Sequence, residues 1–307
     1  GGALIASAHT RRYMREELWA PELITHDARA CRDAAGGGDL AGKAQGFRAV
    51  YFINYFGFPR PQKELALLRS LRQNGVLLVE DNAQFGFSEP GTGDFVFNSM
   101  RKLCAYDGGY LYSAIEVDPY IDKRKGQPNR RLPLIRQYRA RLADYLFQGK
   151  GDREELNSLY ERAEQYYESD MVVEGNAEER WQIEHLDWQG IKQARRDNYL
   201  YLLSLISAIP ELTPLYPVLP DGISPYGLPV YVNGVARDWL FDELGNAGIG
   251  LTIHWDALLR DPRLNHNPVS VKMASKILTL VIDQRITHKQ MDYQAQTLSL
   301  LIKKYRP

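Results

Sequence analysis

Cysteine is nearly absent: the 307 residues hold only Cys31 and Cys104. Two thiols build neither a disulfide framework nor a zinc site. Excess charge is absent as well, since 38 Lys and Arg balance 38 Asp and Glu. A neutral chain carries no electrostatic footprint for nucleic acid or an anionic membrane. No apolar run approaches the roughly 20 residues needed to cross a bilayer. No secretory leader is legible either, because Gly1–Thr10 leads straight into Arg11 and Arg12. The histidines show no metal-ligand spacing: His9, His26, His185, His266 and His288 read as surface residues. These absences leave a cytoplasmic protein with a small-molecule substrate, no metal, and no nucleic-acid or membrane partner. What is present is an ordinary globular balance, 44% hydrophobic and 25% charged. The length allows one large domain and a smaller one.

The first 46 residues are the least readable, with helical stretches over 16–31 interrupted by Pro21 and a break at Gly36-Gly37-Gly38. From Phe47 the pattern sharpens. Ala49-Val50-Tyr51-Phe52-Ile53 is a buried strand in pattern, Gln62–Gln73 an amphipathic helix ended by Asn74-Gly75, and Val76–Val79 a second buried strand. Strand, helix and strand with short links form a βαβ unit and therefore a parallel sheet. Further strands are expected over 94–98 and 110–113, and helices over 133–165 and 181–209. A proline-dense stretch, 210–229, marks a boundary region. Beyond it the pattern predicts a strand over 228–232, a helix over 236–246, a strand over 249–254, and helices over 273–280 and 287–304. The expected division is a large domain, 1–190, and a small C-terminal α+β domain, 191–307.

The residues that carry chemistry lie between Val76 and Tyr112. Asp81 follows a buried strand, at the edge where open α/β sheets bind ligands. A carboxylate there needs a cationic partner, unless it is a helix N-cap or a surface residue. Lys102 follows another apolar strand and precedes Leu103-Cys104-Ala105 and Gly108-Gly109. A lysine in such surroundings loses hydration, which makes its amine nucleophilic, although most lysines are simply solvated. Ser99, about one turn earlier, can offer its hydroxyl to a phosphate. A lysine and a carboxylate together suit pyridoxal 5'-phosphate, which needs an amine to hold it and an acid against its ring nitrogen.

Several segments together resemble the DegT/StrS-type sugar aminotransferases of pyridoxal-phosphate fold type I. They are Asn54-Tyr55-Phe56-Gly57-Phe58-Pro59, Val79-Glu80-Asp81-Asn82-Ala83-Gln84, Gly93-Asp94-Phe95, Ser99-Met100-Arg101-Lys102 and Asp107-Gly108-Gly109. In the tail, 237–249 is similar to the family's arginine-to-glycine-isoleucine helix. Thr252-Ile253-His254-Trp255 resembles its histidine-aromatic step, and Ile277–Leu280 before Asp283-Gln284-Arg285 its late turn. The resemblance runs from Phe47 to the C-terminus. It implies a three-layer α/β/α large domain with a mainly parallel sheet. It also implies that Asp81 faces the pyridine nitrogen, Gln84 the phenolic oxygen and Ser99 the phosphate, with Lys102 the catalytic lysine that holds the cofactor. His254 would contact substrate, and Trp255 would be core or lid. Two positions depart from the family: Phe97 stands where a phosphate-binding serine is frequent, and Val281 where proline is common. Only about fifty residues precede the first clear strand. Gly1-Gly2-Ala3-Leu4-Ile5-Ala6 is the upstream candidate for the start of the family's phosphate helix.

The resemblance thus implies an aminotransferase that takes an amino group from an amino acid, glutamate being the expected donor. The acceptor would be a keto compound such as a nucleotide-linked keto-sugar. It further implies a homodimer with shared active sites. Two rivals stay open: another pyridoxal-phosphate reaction such as dehydration, and a cofactor-poor homologue that acts as a binding or regulatory subunit.

Overall fold

The computed structural model describes residues 4–5, 23–24, 48–85, 91–113, 129–169, 176–260 and 268–305. Cys31, Gly36–Gly38, His9, His26 and His266 lie outside the described residues. The chain divides into two compact units. One is made of Gly1–Asn98, Tyr110–Ala114 and Asp187–Pro307, the other of Ser99–Gly109 and Ile115–Leu186. The expected division at residue 190 does not coincide with these units.

In the first unit, six strands form one sheet: β1 (Leu4–Ile5), β2 (Leu23–Ile24), β3 (Ala49–Ile53), β4 (Leu77–Asp81), β5 (Phe95–Phe97) and β6 (Leu111–Ser113). Their order is β2-β1-β3-β4-β5-β6, parallel except for the antiparallel β5–β6 pair. The mainly parallel sheet is therefore as expected. The N-terminal reading needs correction: Leu4–Ile5 is not part of a phosphate-binding helix but a strand with a parallel neighbour on each side. Pairing on both edges satisfies the backbone of a two-residue apolar segment, which a helix too short to nucleate cannot do. Leu23–Ile24 is likewise a strand within a stretch read as helical.

Alternation sorts β3 and β4 between two faces. Val50, Phe52 and Leu78 pack with Leu68 of α1 (Gln62–Gln73). Tyr51 and Ile53 pack on the other face with Val79 and Phe97. The same unit carries a three-stranded antiparallel sheet of β7 (Leu212–Pro214), β8 (Leu228–Val232) and β9 (Ile277–Leu280), in the order β7-β8-β9. Its helices are α5 (Trp188–Ile206), α6 (Arg237–Asn246), α7 (Ala257–Arg260), α8 (Pro268–Ala274) and α9 (His288–Lys304). They bury the largest core, which includes Tyr199, Leu202, Leu240, Leu278 and Leu298.

Three further readings change. The helix expected over 273–280 ends at Ala274, and Ile277–Leu280 is a strand, all four residues buried. The strand expected over 249–254 is reduced to a single bridge, Thr252 to Thr279. The proline-dense stretch expected as a boundary region runs inside the first unit, with Pro214 in β7 and Pro229 in β8.

The second unit is built from α2 (Arg131–Gln148), α3 (Arg153–Ser169) and α4 (Ala177–Glu184), together with the segment 99–109. Leu132 and Ile135 of α2 pack on Ala163 of α3. Tyr160 and Tyr138 lie ring to ring at 5.3 Å, and the Arg130 guanidinium covers the Tyr166 ring. Among the described residues no helix is long and apolar enough to cross a membrane, and no cluster of His, Cys, Asp or Glu is placed to hold a metal ion.

Candidate active site

The carboxyl ends of β3, β4 and β5 lie at one sheet edge, with Ile53 paired to Asp81 and Asp81 to Phe97. The turns that leave these strands are tied together by backbone bonds. The Asn54 N–H donates to the Asp81 carbonyl at 2.9 Å, and the Asn82 N–H to the Phe97 carbonyl at 2.7 Å. Asp81 is buried, at 9% exposure. Its Oδ1 accepts the Ala83 N–H at 2.8 Å, and its Oδ2 accepts the Tyr51 hydroxyl at 2.5 Å. Asp81 is thus not the N-cap of a helix; it is a buried acid at the carboxyl edge of the parallel strands. Glu80, on the opposite face, accepts the Asn54 side-chain amide at 2.8 Å and the Gly93 N–H at 2.9 Å.

Gln84 sits where the turn after β4 meets the turn after β3. The Phe56 N–H donates to Gln84 Oε1 at 2.9 Å, which leaves the Nε2 end as the donor side of this amide. Phe56 has φ +62° and Gly57 φ +77°. A Cβ on Gly57 would lie 2.7 Å from both the Ser224 carbonyl oxygen and the Tyr226 nitrogen, so only glycine permits this approach. The Tyr226 N–H then donates to the Phe56 carbonyl at 2.9 Å.

His254 is buried, at 7% exposure, and its ring meets the Phe56 ring edge-on at 5.0 Å. Phe56 therefore touches both Gln84 and His254. Trp255 takes φ +61°, a costly conformation for a bulky residue. Its buried indole packs edge-on against Tyr55 at 5.0 Å, which makes it core. Within the first unit, Asp81, Gln84 and His254 are thus joined through the 54–59 turn. Replacing His254 with Ala is expected to raise the Michaelis constant for one substrate and to leave the spectrum of bound cofactor unchanged. A bleached spectrum in steady-state and absorbance measurements would place His254 against the cofactor instead.

Lys102 and Ser99 belong to the second unit. Lys102 ends the short turn Met100–Lys102 and is half-buried; its N–H donates to the Ser99 carbonyl at 3.2 Å. The Ser99 side chain makes no capping bond to that turn. The Met100 N–H donates to the Gly108 carbonyl at 2.8 Å, and Gly108 has φ +131°. The segment is held by ion pairs that sequence reasoning missed. Arg101 pairs with Glu164 at 3.2 Å, Glu164 with Arg131 at 2.9 Å, and Arg131 with Asp107. Glu179 accepts the Asp107 N–H at 2.8 Å and pairs with Arg139 at 2.9 Å. These partners stand up to 72 residues apart in the chain, and no local pattern announces them.

No protein-family model matches the sequence, and no curated protein matches it. Solved structures do. A DegT DnrJ EryC1 StrS aminotransferase from Brucella abortus superposes with a TM-score of 0.59 at 18% identity, over 99% of this chain and 80% of that one. The chain has the fold of the type I pyridoxal-phosphate transferases. The sugar aminotransferase CalS13 from Micromonospora echinospora is similar at a TM-score of 0.57 and 14% identity, over 97% and 80% of the two chains. The E. coli GDP-4-keto-6-deoxy-D-mannose-3-dehydratase with bound hydrated PLP is similar at 0.59 and 16%, over 97% and 80%. The residues present fit such a cofactor. Asp81 offers a buried carboxylate oriented by the Tyr51 hydroxyl and the Ala83 N–H. Gln84, in the same unit, offers an amide donor; in the second unit Ser99 carries a hydroxyl and Lys102 an amine.

Proposed function

We propose that the chain is a pyridoxal-phosphate-dependent aminotransferase. It moves an amino group from an amino acid, with glutamate the expected donor, to a keto acceptor of the nucleotide-linked keto-sugar class. The observation that carries this reading is the buried Asp81 carboxylate, oriented by two donors at the carboxyl edge of a parallel sheet. The fold supports the reading, since structures that share it include a DegT DnrJ EryC1 StrS aminotransferase and a sugar aminotransferase.

In this reading Asp81 accepts the ring N–H and keeps that nitrogen protonated. Gln84 donates to the phenolic oxygen and Ser99 to the phosphate. When bound, the cofactor supplies an electron sink for the carbanion at the substrate α-carbon. Lys102 Nζ would hold the cofactor covalently and, as a free amine, would take up the α-proton as general base. His254 orients substrate. A cytoplasmic homodimer with shared active sites is part of the same proposal.

Borohydride reduction of the cofactor-loaded protein, followed by peptide mapping, is expected to find the pyridoxyl label on Lys102. A label on another lysine defeats the assignment, and no label at all favours the cofactor-poor homologue. The E. coli dehydratase on the same fold keeps a second reading in view, dehydration of the keto-sugar. Amino-group transfer from a panel of donors separates the two.

A further inference from the structure

Tyr51 is not among the residues that the sequence marks for chemistry. It lies in β3 opposite Val79, and β4 places Asp81 two residues further along on the same face. A diagonal neighbour of this kind is within reach of an aromatic side chain. The Tyr51 ring is buried, at 5% exposure, and packs against Phe97 at 6.1 Å, which restrains it from turning away. Its hydroxyl donates to Asp81 Oδ2 at 2.5 Å, within the range of a charge-assisted bond to a carboxylate. The Ala83 N–H holds the other oxygen. Two donors from two directions fix the plane of the Asp81 carboxylate.

We infer that Tyr51 is a positioning residue for Asp81, orienting its carboxylate and moderating its pull on the proton that it shares with the cofactor ring nitrogen. The inference rests on the reading of Asp81 proposed above. By donating to Oδ2, the phenol draws electron density from the carboxylate and weakens it as an acceptor. Without that hydroxyl the carboxylate loses an anchor and becomes the stronger base. The stronger base draws the shared proton toward itself and lengthens the ring N–H bond.

The test is nitrogen NMR of the full chain loaded with pyridoxal phosphate carrying 15N in the ring. The resonance of the original protein is expected at the protonated position, that of Asp81→Asn at the unprotonated position, and that of Tyr51→Phe between them. A Tyr51→Phe resonance that superposes on the original while Asp81→Asn moves overturns the inference and leaves Asp81 in place. An Asp81→Asn resonance that stays with the original defeats the reading of Asp81 itself, and this inference with it. If Tyr51→Phe does not fold, 3-fluorotyrosine placed at position 51 decides. It keeps the ring's shape, and its more acidic hydroxyl donates more strongly. It is expected to move the resonance the opposite way, further toward the protonated position; no movement overturns the inference. A merely structural tyrosine would not produce two shifts of opposite sign.

Discussion

Asp81→Asn is expected to lose roughly two to four orders of magnitude in turnover while still taking up cofactor. The substitution leaves the side chain's size almost unchanged, so β4 and its neighbours keep their packing. What disappears is the negative charge at a site that is 9% exposed. Breaking a buried charge pair by removing one partner costs on the order of 3–5 kcal/mol. Where that pair supports charge that develops in the reaction, the loss falls on the rate at about tenfold per 1.4 kcal/mol. The amide also answers its donors poorly. Tyr51 and Ala83 both donate to the carboxylate, and an amide has one oxygen to offer them. Uptake is expected to survive, because in the proposed reading Lys102 still holds the cofactor. Steady-state rates and the absorbance of the loaded protein separate the two effects. Turnover near that of the unaltered protein would remove Asp81 from the reaction.

The second large effect is on stability. Arg195 is 1% exposed in α5, far from any residue that the sequence marks for chemistry. It donates to Gln284 Oε1 at 2.8 Å and to the Tyr226 carbonyl at 3.0 Å, and it pairs with Asp283 at 3.3 Å. Burial pulls its pKa below the ordinary guanidinium value, and Asp283 and Tyr226 pull back. Arg195→Leu takes one donor from Gln284 and from the Tyr226 carbonyl and one of two cations from Asp283, which Arg285 still holds, and is expected to cost about 3 kcal/mol of unfolding free energy. Urea denaturation would read this as a lower midpoint. Arg195→Lys should recover only part, since an ammonium cannot reproduce the planar fork that reaches three partners. Because Tyr226 also holds Phe56, and Phe56 holds Gln84, the Leu variant should loosen cofactor binding as well.

The same cluster sets an acid limit. Burial pushes the Asp283 pKa up, but bonds to Arg285 and the charges of Arg285 and Arg195 outweigh it and leave the group below the usual carboxylate value. A depressed folded-state pKa contributes stability that is present above the unfolded value and lost as pH falls through the folded one. Arg195→Leu removes part of that contribution, so its stability should fall less steeply on the acid side. A variant within about 1 kcal/mol of the original protein, with the same acid slope, would show that Arg195 is replaceable packing.

Much of the first unit was legible because its signals are local. Ala49–Ile53 and Val76–Val79 are apolar runs between turn residues, and Asp81 and Gln84 follow the second at fixed spacing. The misread elements are those whose local pattern admits two answers. Ile277–Leu280 is too short an apolar run for periodicity to separate helix from strand, and pairing with β8 decided it. The 249–254 segment alternates like a strand, yet it finds a single bridging partner in Thr279. Leu4–Ile5 follows two glycines that suggest a helix start, and two strands distant in sequence claim its backbone instead.

The sequence by itself determined the class of sheet, the chemical types at Asp81, Gln84, Ser99, Lys102 and His254, and the order in which they follow one another, because a strand, its turn and the next side chain are covalent neighbours. The tertiary structure alone decided what orients them: Tyr51 against Asp81, Phe56 against Gln84 and His254, and Glu164 and Glu179 around the segment that bears Lys102. Each of these pairs joins residues from different elements. Which of many possible donors reaches a given acceptor depends on strand register and helix packing, and those are set by the burial of the whole chain rather than by any stretch of it.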